Sequence, residues 1–221
     1  MYLWGELKKL LYEILYFIFP PICPGCGSID TFLCQKCEEE LHPEPFLVLP
    51  KITASLSYKN EVVRRTLWLL KYQNKKSIAK LFGRLLFETI FEALSENSAI
   101  VHTKNYLIVA IPMSKKRLNK RGYNHAHLIA KSLEEESGNT LFFSKNALSK
   151  ITETKNQAHT KSKKERQQNV ANSMHANEKE VFGKHIILID DIVTTGATVN
   201  EAMRALKYAG AKSVHAYVLA H

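Results

Sequence analysis

The apolar positions along this chain change period several times, and each change marks an element. Leu3, Leu7, Leu10, Leu11, Ile14, Leu15 and Ile18 recur at helical spacing, which predicts an amphipathic helix over residues 1–22. Glu6, Lys8, Lys9 and Glu13 interrupt the run, Met1–Gly5 carries no cation, and no small-x-small site follows. These features argue against a signal peptide, and no stretch reaches the ~18 uninterrupted apolar residues of a membrane span. The helix is expected to pack on its own protein. Peripheral membrane contact through Trp4, Tyr16, Phe17 and Phe19 is the alternative. Pro20-Pro21 ends the helix, and a cytoplasmic location is expected.

Pro43, Pro45 and Pro50 punctuate an extended connector, the predicted boundary between a small module at 23–45 and a domain at 46–221. Within the domain, Ile52–Tyr58, Leu107–Ile111, Leu141–Phe143, Ile186–Ile189 and Val214–Leu219 read as strands. Val62–Tyr72, Ser77–Leu94, Tyr123–Glu136 and Val199–Tyr208 read as amphipathic helices. Strands alternating with helices predict an α/β fold, a parallel sheet with helices on both faces. The unbroken runs Leu-Ile-Val-Ala-Ile and Ile-Ile-Leu-Ile suit strands buried on both sides. One stretch breaks this rhythm: Lys145–Glu180 is long, polar and basic, the signature of a functional lid. Its portion from Gln157 to Asn172 is expected to turn helical when an anion binds.

Composition is that of an ordinary soluble protein, with 221 residues, 45% hydrophobic and 24% charged, so no disulfide staple is required. Charge changes the picture more. The net charge is +10, and residues 104–168 carry fourteen Lys or Arg against five Asp or Glu. A basic excess confined to one stretch points to an anionic partner, phosphates above all, against the plainer alternative of a solvated basic loop.

The four cysteines stand as Cys23-x2-Cys26-x7-Cys34-x2-Cys37. Each C-x-x-C turn can aim two thiolates at one tetrahedral ion. The knuckle between them has no core of its own, so a structural Zn2+ is expected to hold it. Two disulfides, or a redox pair with an unneeded duplicate, are the competing readings. A closed shell of four thiolates predicts a structural metal rather than a catalytic one.

The richest segment is Ile186-Ile-Leu-Ile-Asp-Asp-Ile-Val-Thr-Thr-Gly-Ala-Thr198. A buried strand ends in two carboxylates, and a short hydroxyl-rich loop around Gly196 opens a helix. Walker A and G-x-G-x-x-G patterns are absent. Successive N–H groups at a helix start favour an anion, and Asp190 and Asp191 lie within reach of adjacent sugar hydroxyls. The segment resembles the phosphoribosyl pyrophosphate (PRPP) motif of type I phosphoribosyltransferases. That resemblance implies Asp190 and Asp191 on the ribose hydroxyls, and Thr194, Thr195, Gly196, Ala197 and Thr198 around the 5-phosphate. Purine-salvage members often carry Asp where this chain has Thr194, which argues against purine salvage.

A second cluster, Pro112-Met-Ser-Lys-Lys-Arg-Leu-Asn-Lys-Arg-Gly-Tyr-Asn124, follows the Leu107–Ile111 strand. The resemblance makes Met113, Ser114 and Lys115 the pyrophosphate loop. A third set lies in the lid: Lys155, Gln157, Lys161, Lys163, Lys164, Arg166 and Asn169. The ordered set is the cysteine knuckle, Arg117-x-x-x-Arg121-Gly-Tyr-Asn, Thr154-x-x-Gln157, Arg166-x-x-Asn169 and the Asp-Asp loop. It resembles the ComF family of competence-associated phosphoribosyltransferase-like proteins, with an N-terminal zinc knuckle. His125 stands where Gln is usual, and Lys150 where Arg is usual.

The family association implies handling of incoming single-stranded DNA on the cytoplasmic side during natural transformation. Lys115, Lys116, Arg117, Lys120, Arg121, Gln157, Lys163, Lys164 and Arg166 would meet phosphates, and Tyr123 is a candidate stacking face. The alternative is an enzyme that transfers phosphoribose from PRPP to an unknown acceptor with Mg2+. There the carboxylates would steady the sugar and the cationic loop the departing pyrophosphate. A third reading makes the knuckle a docking module for a helicase-type partner of DNA uptake.

Overall fold

The structure is a computed structural model that describes residue 6 and residues 20–73, 76–96, 105–151 and 173–221. The expected N-terminal helix and the lid residues Gln157, Lys163, Lys164 and Arg166 lie outside the described residues. Among the described residues, no helix is long and apolar enough to cross a membrane.

In chain order the elements are α1 (Gln35–Glu39), β1 (Phe46–Leu49), β2 (Ile52–Leu56), α2 (Glu61–Gln73), α3 (Lys76–Glu96) and β3 (Tyr106–Ala110). They continue with α4 (Lys115–Arg121), α5 (His125–Glu136), β4 (Phe142–Ser144), β5 (Leu148–Lys150), β6 (Met174–Ala176) and α6 (Glu178–Val181). The last three are β7 (His185–Ile192), α7 (Ala197–Tyr208) and β8 (Ser213–Ala220). Six strands form one sheet in the order β1-β2-β8-β7-β3-β4, and β5 pairs with β6 in a separate ribbon. All pairs within β2-β8-β7-β3-β4 are parallel, and β1 is an antiparallel edge. The alternation of strands and helices therefore gave the correct class.

The two faces of the sheet are read off β7. Ile187 and Ile189 join the cluster formed by α2, α3 and α5, whereas Ile186 and Leu188 join the cluster around α7 and the β5-β6 ribbon. Gly83 in α3 marks a tight crossing on the first face. A Cβ there would lie 2.6 Å from Ser132 Cβ and 2.8 Å from the Ser132 carbonyl carbon of α5. A Gly83→Ala variant is therefore expected to lose about 1–3 kcal/mol of stability by overpacking, seen as a lowered thermal midpoint.

Three local expectations are corrected. The connector through Pro45 contains a strand, β1, because Phe46–Leu49 lies at the sheet edge, where flanking prolines cost no ladder bond. The basic run Lys115–Arg121 is a seven-residue helix. Its apolar periodicity is nil, so nothing in the pattern announced it. The polar stretch Lys145–Glu180 contributes β5, β6 and α6 at its two ends, with Glu201 of α7 accepting from Met174 N at 3.3 Å to dock the ribbon.

The topology fixes where a ligand would sit. From β3 the chain passes through α5 on one face to β4; from β7 it passes through α7 on the other face to β8. The connections after β3 and β7 thus diverge in opposite directions. The crevice beyond the C-terminal ends of these adjacent strands is the topological switch point at which open parallel sheets bind ligands.

Candidate ribose-phosphate and metal sites

A cavity of about 260 Å³ opens at that switch point. Asp190, Asp191, Ile192 and Thr198 line it from β7 and α7. Ile111, Pro112, Met113, Ser114, Arg117 and Arg121 line it from the β3 side, together with Lys71, Asn124, His125 and Lys150. β7 runs three residues further than expected at its C-terminal end, to Ile192, so the carboxylates belong to the strand itself. Strand alternation starts their side chains on opposite sides of the sheet edge, and both reach round into the crevice, where a carboxylate oxygen of each and a ring nitrogen of His125 lie within 4.8 Å of one another.

Asp191 is buried and shares the parity of Ile187 and Ile189, facing α2 and α5. Lys71 Nζ lies 2.5 Å and His125 Nε2 3.2 Å from its Oδ2. Lys71 supplies the positive charge that faces Oδ2, and His125 turns its ring toward the same oxygen. Oδ1 accepts from Ile192 N at 2.8 Å. Burial alone would raise this carboxyl, but His125 and Lys71 outweigh it and hold the group well below the usual carboxylate range. Asp190 behaves oppositely: burial, and then the negative charge of Asp191, push it well above its ordinary value. Two carboxylates side by side in one site are thereby driven apart in acidity.

The rest of the site is built to hold these groups. Asn124 caps α5 by accepting from Ala126 N at 3.0 Å, and its Nδ2 donates to Ile111 O at 3.0 Å, tying the helix to the end of β3. Arg121 Nη1 lies 3.3 Å from His125 Nδ1. Because a guanidinium only donates, Nδ1 accepts and the ring turns its Nε2–H toward Asp191.

On the other wall, Thr194, Thr195 and Thr198 are exposed, and Gly196 takes φ 75° as the N-cap of α7 without a side-chain cap. The first turn of α7 has no acidic residue, so its N–H groups and dipole are available to an anion. A Cβ on Gly196 would meet Leu49 Cδ1 at 2.5 Å. Gly196→Ala is expected to weaken PRPP binding at least about tenfold, because both the left-handed φ and the contact with β1 resist it. Calorimetric titration checks this.

The sequence-picked residues separate into two groups. Asp190, Asp191, Met113, Ser114, Arg117, Arg121 and Thr198 converge on the cavity. Lys115, Lys116 and Lys120 are exposed on α4, Thr194, Thr195 and Gly196 form the loop leading into α7, and Ala197 opens that helix. Tyr123 is half-buried, its hydroxyl donating to Leu70 O at 2.6 Å, so it ties the α4–α5 turn to α2. Lys71 has no local signature in the sequence: it looks like the polar edge of an amphipathic helix, and its partner lies 120 positions away in the chain.

The cysteines form the second site. Their four sulfurs lie within 4.8 Å of one another, with Cys23 Sγ–Cys34 Sγ at 3.7 Å and Cys26 Sγ–Cys34 Sγ at 3.5 Å. Sulfurs ~2.3 Å from a tetrahedral Zn2+ would be ~3.8 Å apart, so the set fits such an ion and is too wide for disulfides. A Cβ on Gly25 would lie 2.5 Å from Cys37 Sγ, so glycine there admits the fourth ligand. The hydroxyl and backbone of Ser28 draw the Cys26 thiol down to about 6, whereas burial pushes Cys37 up to about 12. A central cation is what allows all four to be thiolates together. The knuckle docks on the main domain: Glu38 pairs with Arg84 at 2.7 Å, and Leu41 enters the α2-α3-α5 core.

A parallel sheet with a carboxylate pair and an uncapped glycine loop at its switch point defines a phosphoribosyltransferase-type domain, and residues 118–221 match the family model "Phosphoribosyl transferase domain". Along the whole chain, similarity extends to "Competence protein ComFC" of Bacillus subtilis, 30% identical over 201 residues, covering 90% of this chain and 77% of that protein. "Competence protein F" of Haemophilus influenzae is 27% identical, covering 90% and 84%. "DNA utilization protein YhgH" of Escherichia coli is 26% identical, covering 90% and 83%. Among solved structures, the glutamine PRPP amidotransferase of B. subtilis aligns with TM-score 0.40 at 20% identity, over 63% of this chain and 25% of that one. The chain belongs to the ComF family.

Proposed function

We propose that this protein is a cytoplasmic DNA-handling protein of natural transformation that uses its phosphoribosyltransferase-type site to bind a ribose 5-phosphate group, PRPP being the probe of choice. The observation that carries this reading is the meeting, in one crevice, of the Asp190-Asp191 pair, the bare start of α7 and Arg117 and Arg121 of α4. The competence and DNA-utilization names of the relatives support the DNA arm. In this reading Lys115, Lys116, Arg117, Lys120 and Arg121 neutralise backbone phosphates, with Lys163, Lys164, Arg166 and Gln157 extending the track. The cysteine set holds a structural Zn2+, and the knuckle offers a docking face for a helicase-type partner.

The carboxylate pair also favours a second reading, phosphoribosyl transfer from PRPP to an acceptor. Oxygen ligands on Asp190 and Asp191 suit Mg2+, a hard cation, which they would hold and which would supply positive charge against the substrate's phosphates. Asp190 and Asp191 would then orient the ribose, Thr194–Thr198 would anchor the 5-phosphate, and Arg117 with the Met113–Lys115 loop would stabilise charge on the leaving pyrophosphate.

Titration with PRPP and with single-stranded DNA, separately and in competition, tests both arms. About five phosphate contacts give an expected slope of log affinity against log salt of about −3.5. No salt-dependent binding at about 50–100 mM salt would sink the DNA arm. Mutual exclusion of the two ligands would put both in one groove. Pyrophosphate release with any acceptor would establish turnover.

A further inference from the structure

Helix α2 buries one side, Val63, Leu67 and Leu70, in the core. On its opposite side it leaves two large aromatic rings in solvent: Trp68 is 53% and Tyr72 59% exposed. The two are one helical turn apart, and their rings meet at 5.4 Å between centroids, tilted by 37°. Such an exposed aromatic pair forfeits the burial that normally fixes these side chains, which asks for a partner that supplies it.

The surroundings say what kind. The guanidinium carbon of Arg121 lies 4.9 Å from the centre of the Tyr72 ring, and Arg121 Nη2 donates to Tyr72 Oη at 3.4 Å. A row of planar groups, Arg121, Tyr72, Trp68, therefore runs outward from the cavity that Arg121 and Lys71 line. Beside it, α4 presents Lys115, Lys116, Arg117 and Lys120 to solvent. Neither α4 nor residues 62–73 of α2 contains an acidic side chain. Flat π-faces flanked by a cluster of cations match one chemistry: unpaired nucleobases joined by phosphates. In a duplex the base faces are already stacked on one another, so the strand must be single.

We propose that Trp68 and Tyr72 form a base-stacking platform for single-stranded nucleic acid, with the phosphates of the same strand riding on α4 and Arg121 capping the stack by a cation–π contact. This rests on the DNA-handling reading above and gives it a residue-level contact that the basic helix alone does not supply. Phosphate contacts give salt dependence; the platform adds affinity that depends on bases being present.

The test compares oligothymidylate with an abasic oligonucleotide of the same length and charge, by fluorescence anisotropy on the full chain at about 100 mM salt. The native protein is expected to prefer the base-bearing strand by about tenfold or more. Trp68→Ala should lower its affinity for oligothymidylate toward the abasic level, leaving abasic binding, salt slope and PRPP affinity unchanged. Trp68→Phe should restore most of the preference. Lys116→Ala/Lys120→Ala should weaken both strands alike and flatten the slope. Trp68 lies outside the core, and an unchanged thermal midpoint confirms that its variants fold. Equal native affinity for the two strands, or a preference that survives Trp68→Ala/Tyr72→Ala, would overturn the platform while the DNA reading stands. No salt-dependent binding to either strand would overturn both.

Discussion

A Cys23→Ser variant is expected to purify without stoichiometric metal and to melt about 10 °C below the native protein. Cys23 is buried, and its sulfur accepts from Cys34 N at 3.4 Å, so it joins the two C-x-x-C turns as well as offering a ligand to an ion. The segment from Cys23 to Cys37 has little apolar interior. What shapes it is one isolated bridge, Ile22 to Ile29, and the short helix α1, so a bound metal is expected to supply most of its folding free energy. The damage should spread, because Phe32, Leu33 and Leu41 lean on the α2-α3-α5 core and Glu38 holds Arg84. Elemental analysis of the purified protein measures the metal, and a melt with and without chelator measures the coupling. Gly25→Ala separates fold from ligand: it keeps all four sulfurs but drives a methyl group against Cys37, and should also lower metal content. A metal-free protein that melts normally would remove the structural role.

The second large effect is a reversal of sign between neighbouring residues. Asp191→Asn should lower the thermal midpoint by about 6–12 °C, since it leaves Lys71 beside a neutral amide at a cost of about 3 kcal/mol. Asp190→Asn should raise the midpoint by about 3 °C, because burial and Asp191 already disfavour its charge. Both should weaken PRPP binding by about 10–100-fold, the worth of hydrogen bonds from hydroxyls to a carboxylate. The pH dependence has the same two signs. Asp191 is held below its ordinary 3.8, so its contribution is complete above that value and fades as pH falls through the lower folded-state value. Asp190 is held above 3.8, so it costs stability at neutral pH, and that cost shrinks as the pH falls through its raised value. Calorimetric melts of both variants from neutral pH down to about 3 separate these contributions. A midpoint that falls equally in both would show that the pair is not polarised.

The strands and the acidic loop were legible because their information is local. Ile-Ile-Leu-Ile is apolar on both faces, and the residues after it carry their chemistry in a row. The cysteine spacing was legible for the same reason. Lys71, Trp68 and Tyr72 were not, since their meaning comes from where α2 lands: Lys71 beside a strand far along the chain, Tyr72 beneath a guanidinium from α4. The α4 helix was hidden because Lys-Lys-Arg-Leu-Asn-Lys-Arg has no apolar stripe; its end is marked by Gly122 at φ 80°, whose N–H returns to Leu118 O at 2.7 Å. Tyr123 stood out as an aromatic among cations, yet its hydroxyl is used to fasten a turn.

Because the two acidic residues sit inside an extended segment with a two-residue side-chain repeat, their unlike characters depend on counting. Removing or adding one amino acid among Ile186–Ile189 would exchange their surroundings, turning the carboxylate that Lys71 now neutralises toward α7 and the other toward a lysine and an imidazole. A conservative swap of Ile for Val there is a small packing matter, but a change in number rewires the site. Any attempt to shorten, circularise or graft this domain should therefore cut outside β7, at the exposed turn of Phe182 and Gly183, where the face count is preserved.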